Sequence, residues 1–200
     1  MKRFGIGALA LVLTTVVGCS STVSGTPRAA SDPDARAAVA RSVLTVGDLP
    51  SGWAVHHDDS AGGSPTGCRP ANIGMHSSAK KDAEFEYAGS LPLLLETVAY
   101  FHGDTAPAAF TAGIRSITAC KRLTIAPGQS APLVPMTLPT FGDRSAAYSL
   151  TFHESGLSVQ MALCAVQRSH FIALIAYGDL GAVDRTQLLD LVHRAVAKLH

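Results

Sequence analysis

The clearest hydrophobic pattern lies in the last third of the chain. Tyr148, Leu150 and Phe152 alternate with Ser149, Thr151 and His153 across Ala146 to His153, a period of two that predicts a half-buried strand. Glu154-Ser155-Gly156 supplies a turn. Leu157, Val159, Met161 and Leu163 then alternate with Ser158, Gln160, Ala162 and Cys164. A second turn at Gln167-Arg168-Ser169 leads into Phe171-Ile172-Ala173-Leu174-Ile175-Ala176-Tyr177, which is apolar at every position. Such a run suits a central strand covered on both faces. The three segments predict an antiparallel meander. A helix follows, with Asp184 as N-cap, Gln187 placed for a capping box, and Leu188, Leu191, Val192, Ala195, Val196 and Leu199 as its apolar stripe.

Upstream the pattern is sparser. Asp32-Pro33-Asp34 has the chemistry of a helix start, and Ala-rich sequence runs on to about Thr45. Val46 to Trp53 is rich in turn residues, and residues 58–82 read mostly as loop. Glu96-Thr97-Val98-Ala99-Tyr100-Phe101 reads as a strand. After Gly103-Asp104-Thr105 a helix carries Phe110, Ile114 and Ile117 on one stripe. Residues 127–140 hold Pro127, Pro132, Pro135 and Pro139, which exclude a helix interior or a central strand and predict an extended surface connection. The order β, α, β-β-β, α predicts an α+β fold: a twisted antiparallel sheet with flanking helices in a single domain.

The front of the chain follows other rules. Lys2-Arg3 precedes an apolar run from Phe4 to Val17, shorter than the about 20 residues a membrane span needs. Val16-Val17-Gly18-Cys19 places a small residue directly before a cysteine, and Ser20 to Pro27 is a polar spacer. This resembles a bacterial lipoprotein signal ending in a lipobox. The resemblance implies removal of residues 1–18, lipidation of Cys19, a flexible tether over 19–31 and a domain over 32–200. It places the domain at the extracytoplasmic face of the cell membrane, held there by its lipid anchor. Two acyl chains on one cysteine suffice for stable anchoring.

Charge narrows the partners. The chain has 16 Lys+Arg and 15 Asp+Glu, and losing Lys2 and Arg3 would leave a slight excess of acid. A near-neutral domain offers no electrostatic case for nucleic acid or for a polybasic membrane patch. Export would place Cys68, Cys120 and Cys164 where disulfides persist. Cys68 follows a Gly/Ser/Pro-rich loop, Cys120 ends a helical stretch, and Cys164 sits inside an apolar run. The pairing expected is Cys68–Cys120 with Cys164 a small buried hydrophobe, although placement alone leaves other pairings open.

Four pieces together suggest a family: Leu44-Thr45 through Asp48-Leu49-Pro50-Ser51-Gly52-Trp53; Cys68 in an early loop; Val98-Ala99-Tyr100-Phe101 followed by an Ala-rich helix ending in Ala119-Cys120; and the final hairpin and amphipathic helix. From about Leu44 to His200 the chain resembles the PknH-like extracellular sensor domain, found on mycobacterial receptor-type serine/threonine kinases and on stand-alone lipoproteins. The resemblance implies a twisted antiparallel sheet flanked by helices, a cleft that binds a small ligand, and a Cys68–Cys120 bridge. The family's further disulfide between the last hairpin strands has no cysteine pair here. Neither a kinase segment nor a span beyond the signal is read, which leaves binding outside the cell rather than signalling across the membrane.

Catalytic patterns do not emerge. G-x-S-x-G and C-x-x-C are absent. His153-Glu154-Ser155 has triad residue types, but neighbours at a strand end point apart. His56-His57-Asp58-Asp59 is the densest set of metal-type ligands and reads as a solvated loop; His193 is expected to face solvent or the helix end. Tyr87, Tyr100, Tyr148 and Tyr177 could line a cleft, but at strand positions such residues are usually half-buried core. The expectation is a cell-envelope lipoprotein with a non-catalytic ligand-sensing domain, no cofactor and no metal, whose partner is a small molecule or an envelope protein. The alternatives are a protein-docking subunit, marked by an exposed apolar patch, and a lipid carrier, marked by a long apolar tunnel.

Overall fold

The computed structural model describes residues 32–56, 76–126, 129–154 and 156–200. Cys19, Cys68, the proposed signal and tether, and His57-Asp58-Asp59 lie outside them. The elements run α1 (Pro33–Ser42), β1 (Trp53–Val55), β2 (Ala79–Tyr87), β3 (Ser90–Tyr100), α2 (Ala106–Ala119), β4 (Arg122–Ala126), β5 (Gln129–Pro132), β6 (Val134–Pro135), β7 (Arg144–Glu154), β8 (Leu157–Arg168), β9 (Phe171–Leu180) and α3 (Arg185–Ala197). This is the expected α+β fold with flanking helices. Seven strands form one antiparallel sheet in the order β1-β2-β3-β9-β8-β7-β6, and β4-β5 make a separate hairpin. The all-apolar strand β9 occupies the middle of the large sheet.

Both faces of that strand meet a core, and alternate residues go to alternate sides. Phe171, Ala173, Ile175 and Tyr177 join a cluster with Val39 of α1 and Leu188, Leu191, Val192 and Ala195 of α3. On the other face, Ile172 joins Ala99, Leu163, Ala165 and Leu150 beneath Phe110 and Ile117 of α2 and Leu123 of the small hairpin. One face therefore carries α1 and α3, and the opposite face carries α2 and β4-β5. Register enforces the division, because a one-residue slip would exchange the two sets of side chains.

Local chemistry sets the helix ends. Asp32 Oδ1 accepts from the backbone N–H groups of Asp34 at 2.9 Å and Ala35 at 3.2 Å, which holds the Asp32 carboxyl below its usual range. Asp184 Oδ1 accepts from Thr186 N at 2.8 Å and Gln187 N at 3.2 Å. The Gln187 side chain departs from the expected capping box: its Oε1 accepts from the Tyr177 hydroxyl at 2.8 Å, tying α3 to the central strand.

Three expectations need correction. The loop assigned to 58–82 ends sooner, because β2 begins at Ala79; charged residues alternate along it and mask its strand character. The connection over 127–140 contains β5 and β6, both short and peripheral, as prolines allow. The last hairpin turns at Ser169, with φ of 52°, because β8 continues through Arg168. The large sheet ends in strands of 3 and 2 residues, β1 and β6. Lys80 and Lys81 stand exposed on the part of β2 that β1 does not cover.

The packing yields a graded expectation. Leu191→Ala should lower the unfolding free energy by about 2–5 kcal/mol through a core cavity, and Asp184→Ala by about 1 kcal/mol through the lost cap. Urea titration followed by circular dichroism measures both.

Candidate functional site

The face beneath α2 is only partly covered, and its uncovered end has a specific shape. Along β9 the side chains on this face shrink from Ile172 through Leu174 and Ala176 to Gly178. Larger residues flank them at the same level. Leu95 and Leu163 pair with Ala176, and Leu93 and Met161 pair with Gly178. The centre of the sheet is thus low and both sides are high. The result is a hollow of about 260 Å³ bounded by Leu91, Leu93, Phe152, Val159, Met161 and Gly178. A Cβ at Gly178 would meet Met161 Cε at 3.5 Å, so the glycine leaves room rather than relieving a clash. At the outer end Leu157 is 56% exposed and Leu180 48%.

No lining side chain carries a polar group, and the floor's backbone groups belong to the β3-β9 and β8-β9 ladders. Polar character begins one strand away. Glu84 pairs with Leu95 and Glu86 with Leu93, so both carboxylates project on the same face beside the apolar wall. His56 Nδ1 lies 2.8 Å from Glu86 Oε2. The side chain of Glu154 and all of Ser155 lie outside the described set, so the His153-Glu154-Ser155 reading is untouched.

A second feature sits on the opposite face. Glu96 of β3 is 1% exposed among apolar neighbours. Its Oε2 accepts from Leu44 N at 2.6 Å, while Oε1 and Ser42 Oγ are buried with no hydrogen-bond partner. Burial raises the Glu96 carboxyl to about 7, with the Leu44 hydrogen bond and the Lys198 charge acting against it. Asp48, in a 3-10 turn at Val46–Asp48, accepts from Thr45 N at 2.7 Å and from Lys198 Nζ at 2.5 Å. Burial opposes ionisation of Asp48, but the bonds from Lys198 and Thr45 prevail and lower it.

The expected site residues separate. Cys120 is disulfide-bonded, with its partner outside the described residues. Cys164 is free and 2% exposed, and burial pushes its thiol up to about 12. It lines a second hollow of about 130 Å³ under the Met136–Phe141 segment. The four tyrosines do not converge. Tyr148 is buried beneath α2 and Tyr177 beneath α3, Tyr100 packs edge-on against His102 and Phe171, and Tyr87 packs edge-on against Trp53. His193 is exposed and meets the Phe141 ring at 4.9 Å. The described residues hold no group of three or more metal-type ligands, and none of their helices is long and apolar enough to cross a membrane. Sequence reading missed Glu96, although an acid heading a predicted buried strand was the available signal. It also missed the hollow, which depends on register.

No protein-family model matches the chain, and no curated protein matches it.

The Glu96 geometry predicts a pH profile. The folded-state value of about 7 lies above the reference of 4.5, so the native state holds the proton more tightly than the unfolded chain. This contribution is fully present below the reference value and is lost as pH rises through the folded-state value. It amounts to about 3 kcal/mol if the whole shift is expressed. Glu96→Gln keeps an acceptor for Leu44 and should flatten that slope. Urea midpoints from pH 4 to pH 8 on both proteins test it, and an unchanged slope in the variant would reject the assignment.

Proposed function

We propose that the chain is a lipid-anchored cell-envelope protein whose folded domain binds an apolar small molecule at the extracytoplasmic face and performs no catalysis. The hollow over Gly178 carries the reading: about 260 Å³ of space with an apolar lining, on a rigid sheet rather than on loops. Its size falls just below the ~300 Å³ at which small-molecule pockets usually begin. A site without convergent polar groups supports binding more than chemistry, because general acid-base work needs a titratable group within hydrogen-bond reach of the substrate.

The Val16-Val17-Gly18-Cys19 motif supports the anchor and the compartment. The resemblance to the PknH-like sensor domain supports a sensing role, with ligand occupancy as the signal. The exposed leucines 157 and 180 support a second reading, in which the same end of the sheet docks an envelope protein.

Two measurements test the proposal. Labelled palmitate should enter the mature protein, and Cys19→Ala should abolish labelling and release the protein from membranes. Native mass spectrometry of the domain from about Asp32, purified from its own envelope, should show a retained small molecule. A retained protein instead would favour docking, and a full-length unlabelled cytosolic product would end the envelope reading.

A further inference from the structure

Among the described residues, three buried side-chain atoms have no hydrogen-bond partner: Ser42 Oγ, Trp53 Nε1 and Glu96 Oε1. All three border one stretch of chain. Ser42 ends α1, Trp53 begins β1, and Glu96 lies under the connection between them, bonded to Leu44 N. Unmet polar groups are rare in folded interiors, because each forfeits the bonds it made with water. Their gathering at both ends and on the underside of residues 43–52 means that this segment docks at a polar loss. Lifting it would return all three groups to water. Against that stand the burial of Val43, Leu44 and Leu49, the bonds to Asp48 from Lys198 and Arg194, and the Gly52 carbonyl, which accepts from Ala88 N at 3.0 Å.

Of the three groups only Glu96 titrates at ordinary pH, so only Glu96 can make this balance depend on pH. Its surroundings hold little charge. The buried side of α1 presents Ala35, Val39 and Ser42. Across the ladders Glu96 faces Ala83 of β2 and Ile175 of β9. Two residues along these strands on the same face stand Lys81, exposed, and Tyr177, whose hydroxyl is donated to Gln187. Cys164 of β8 pairs with Ile175, and its thiol is pushed up to about 12. From α3, Arg194 is committed to Asp190 and to the Asp48 carbonyl. Lys198 favours ionisation of Glu96 and Asp48 opposes it, and these two are bonded to each other. An ionised Glu96 therefore keeps one oxygen bare in an apolar layer while the segment is docked, and has both hydrated once it lifts. The docked carboxyl, held at about 7, returns toward its reference of 4.5 on lifting, so the proton favours docking. Rising pH withdraws that preference between the two values.

We infer that residues 43–52 form a proton-controlled latch: with Glu96 neutral the segment stays docked on the sheet, and with Glu96 ionised it lifts far more often while the sheet and α3 remain folded. The latch stands apart from the binding role proposed above. It is a local opening with its own frequency, distinct from unfolding of the whole molecule.

Hydrogen exchange of the full chain, followed by NMR at pH 5 and pH 8 and corrected for intrinsic rates, tests it. The Leu44 N–H, which reads the bond to Glu96 directly, should open at least a hundredfold more often than the Ile175 N–H at both pH values. Its opening should become at least tenfold more frequent at pH 8 than at pH 5. Glu96→Gln should abolish that response and keep Leu44 protected at pH 8. Ser42→Ala, which removes one unmet group, should make opening rarer at both pH values and leave the response in place. Should the glutamine variant not fold, the wild-type comparison of Leu44 with Ile175 decides alone. One shared opening frequency for Leu44 and Ile175 would mean that only the whole molecule opens, and would overturn the latch. So would a Leu44 frequency that is equal at the two pH values, or a pH response that survives in Glu96→Gln.

Discussion

A single buried acceptor organises one side of this molecule. The Glu96 carboxylate takes the Leu44 N–H just after α1 ends and so pins the connection from α1 to β1 against the sheet. The same connection carries Asp48, which holds Lys198 at the end of α3, while the Asp48 carbonyl accepts from Arg194 at 3.0 Å. Two helices far apart in sequence are thereby referred to one short segment. The arrangement is expensive, because an ionised carboxylate in an apolar layer loses its water and here keeps one oxygen unpartnered. The protein meets that cost by raising the Glu96 carboxyl until the neutral form is accessible near neutrality.

The two faces of the sheet are treated unequally. One is sealed by α1 and α3 across the middle strands, and the hydroxyl of Tyr177 fastens the seal through Gln187. The other is sealed by α2 and the small hairpin at one end only. Side chains on β9 shorten where the cover stops. A core would normally fill such a gap, since interiors pack to crystal-like density and each empty methylene-sized space weakens the fold. Gly178 is therefore hard to explain as a packing choice. It forms the floor of an open apolar hollow between Leu93 and Met161.

Much of the fold was legible because the informative segments obey one period at a time. β9 is apolar on both faces and lies at the centre of the sheet, and α3 shows its stripe and its cap. β2 was hidden because Lys80, Asp82, Glu84 and Glu86 fall on a face without a hydrophobic partner layer, so its alternation resembles a solvated loop. The start of β3 was hidden by Pro92 and by an acid placed where a core residue is expected. The hollow was beyond any linear reading. Leu93, Met161 and Gly178 are unremarkable separately, and only the pairing of β3, β9 and β8 makes them neighbours.

The borders of the sheet carry a further consequence. Both outermost strands are stubs, one contains Pro135, and a pair of lysines guards the neighbouring exposed backbone. Long bare strands invite copies of a protein to zip together into fibres. Where these stubs pair, a neighbouring copy finds little free backbone to extend, at Trp53–Val55 on one border and at Val134–Pro135 on the other.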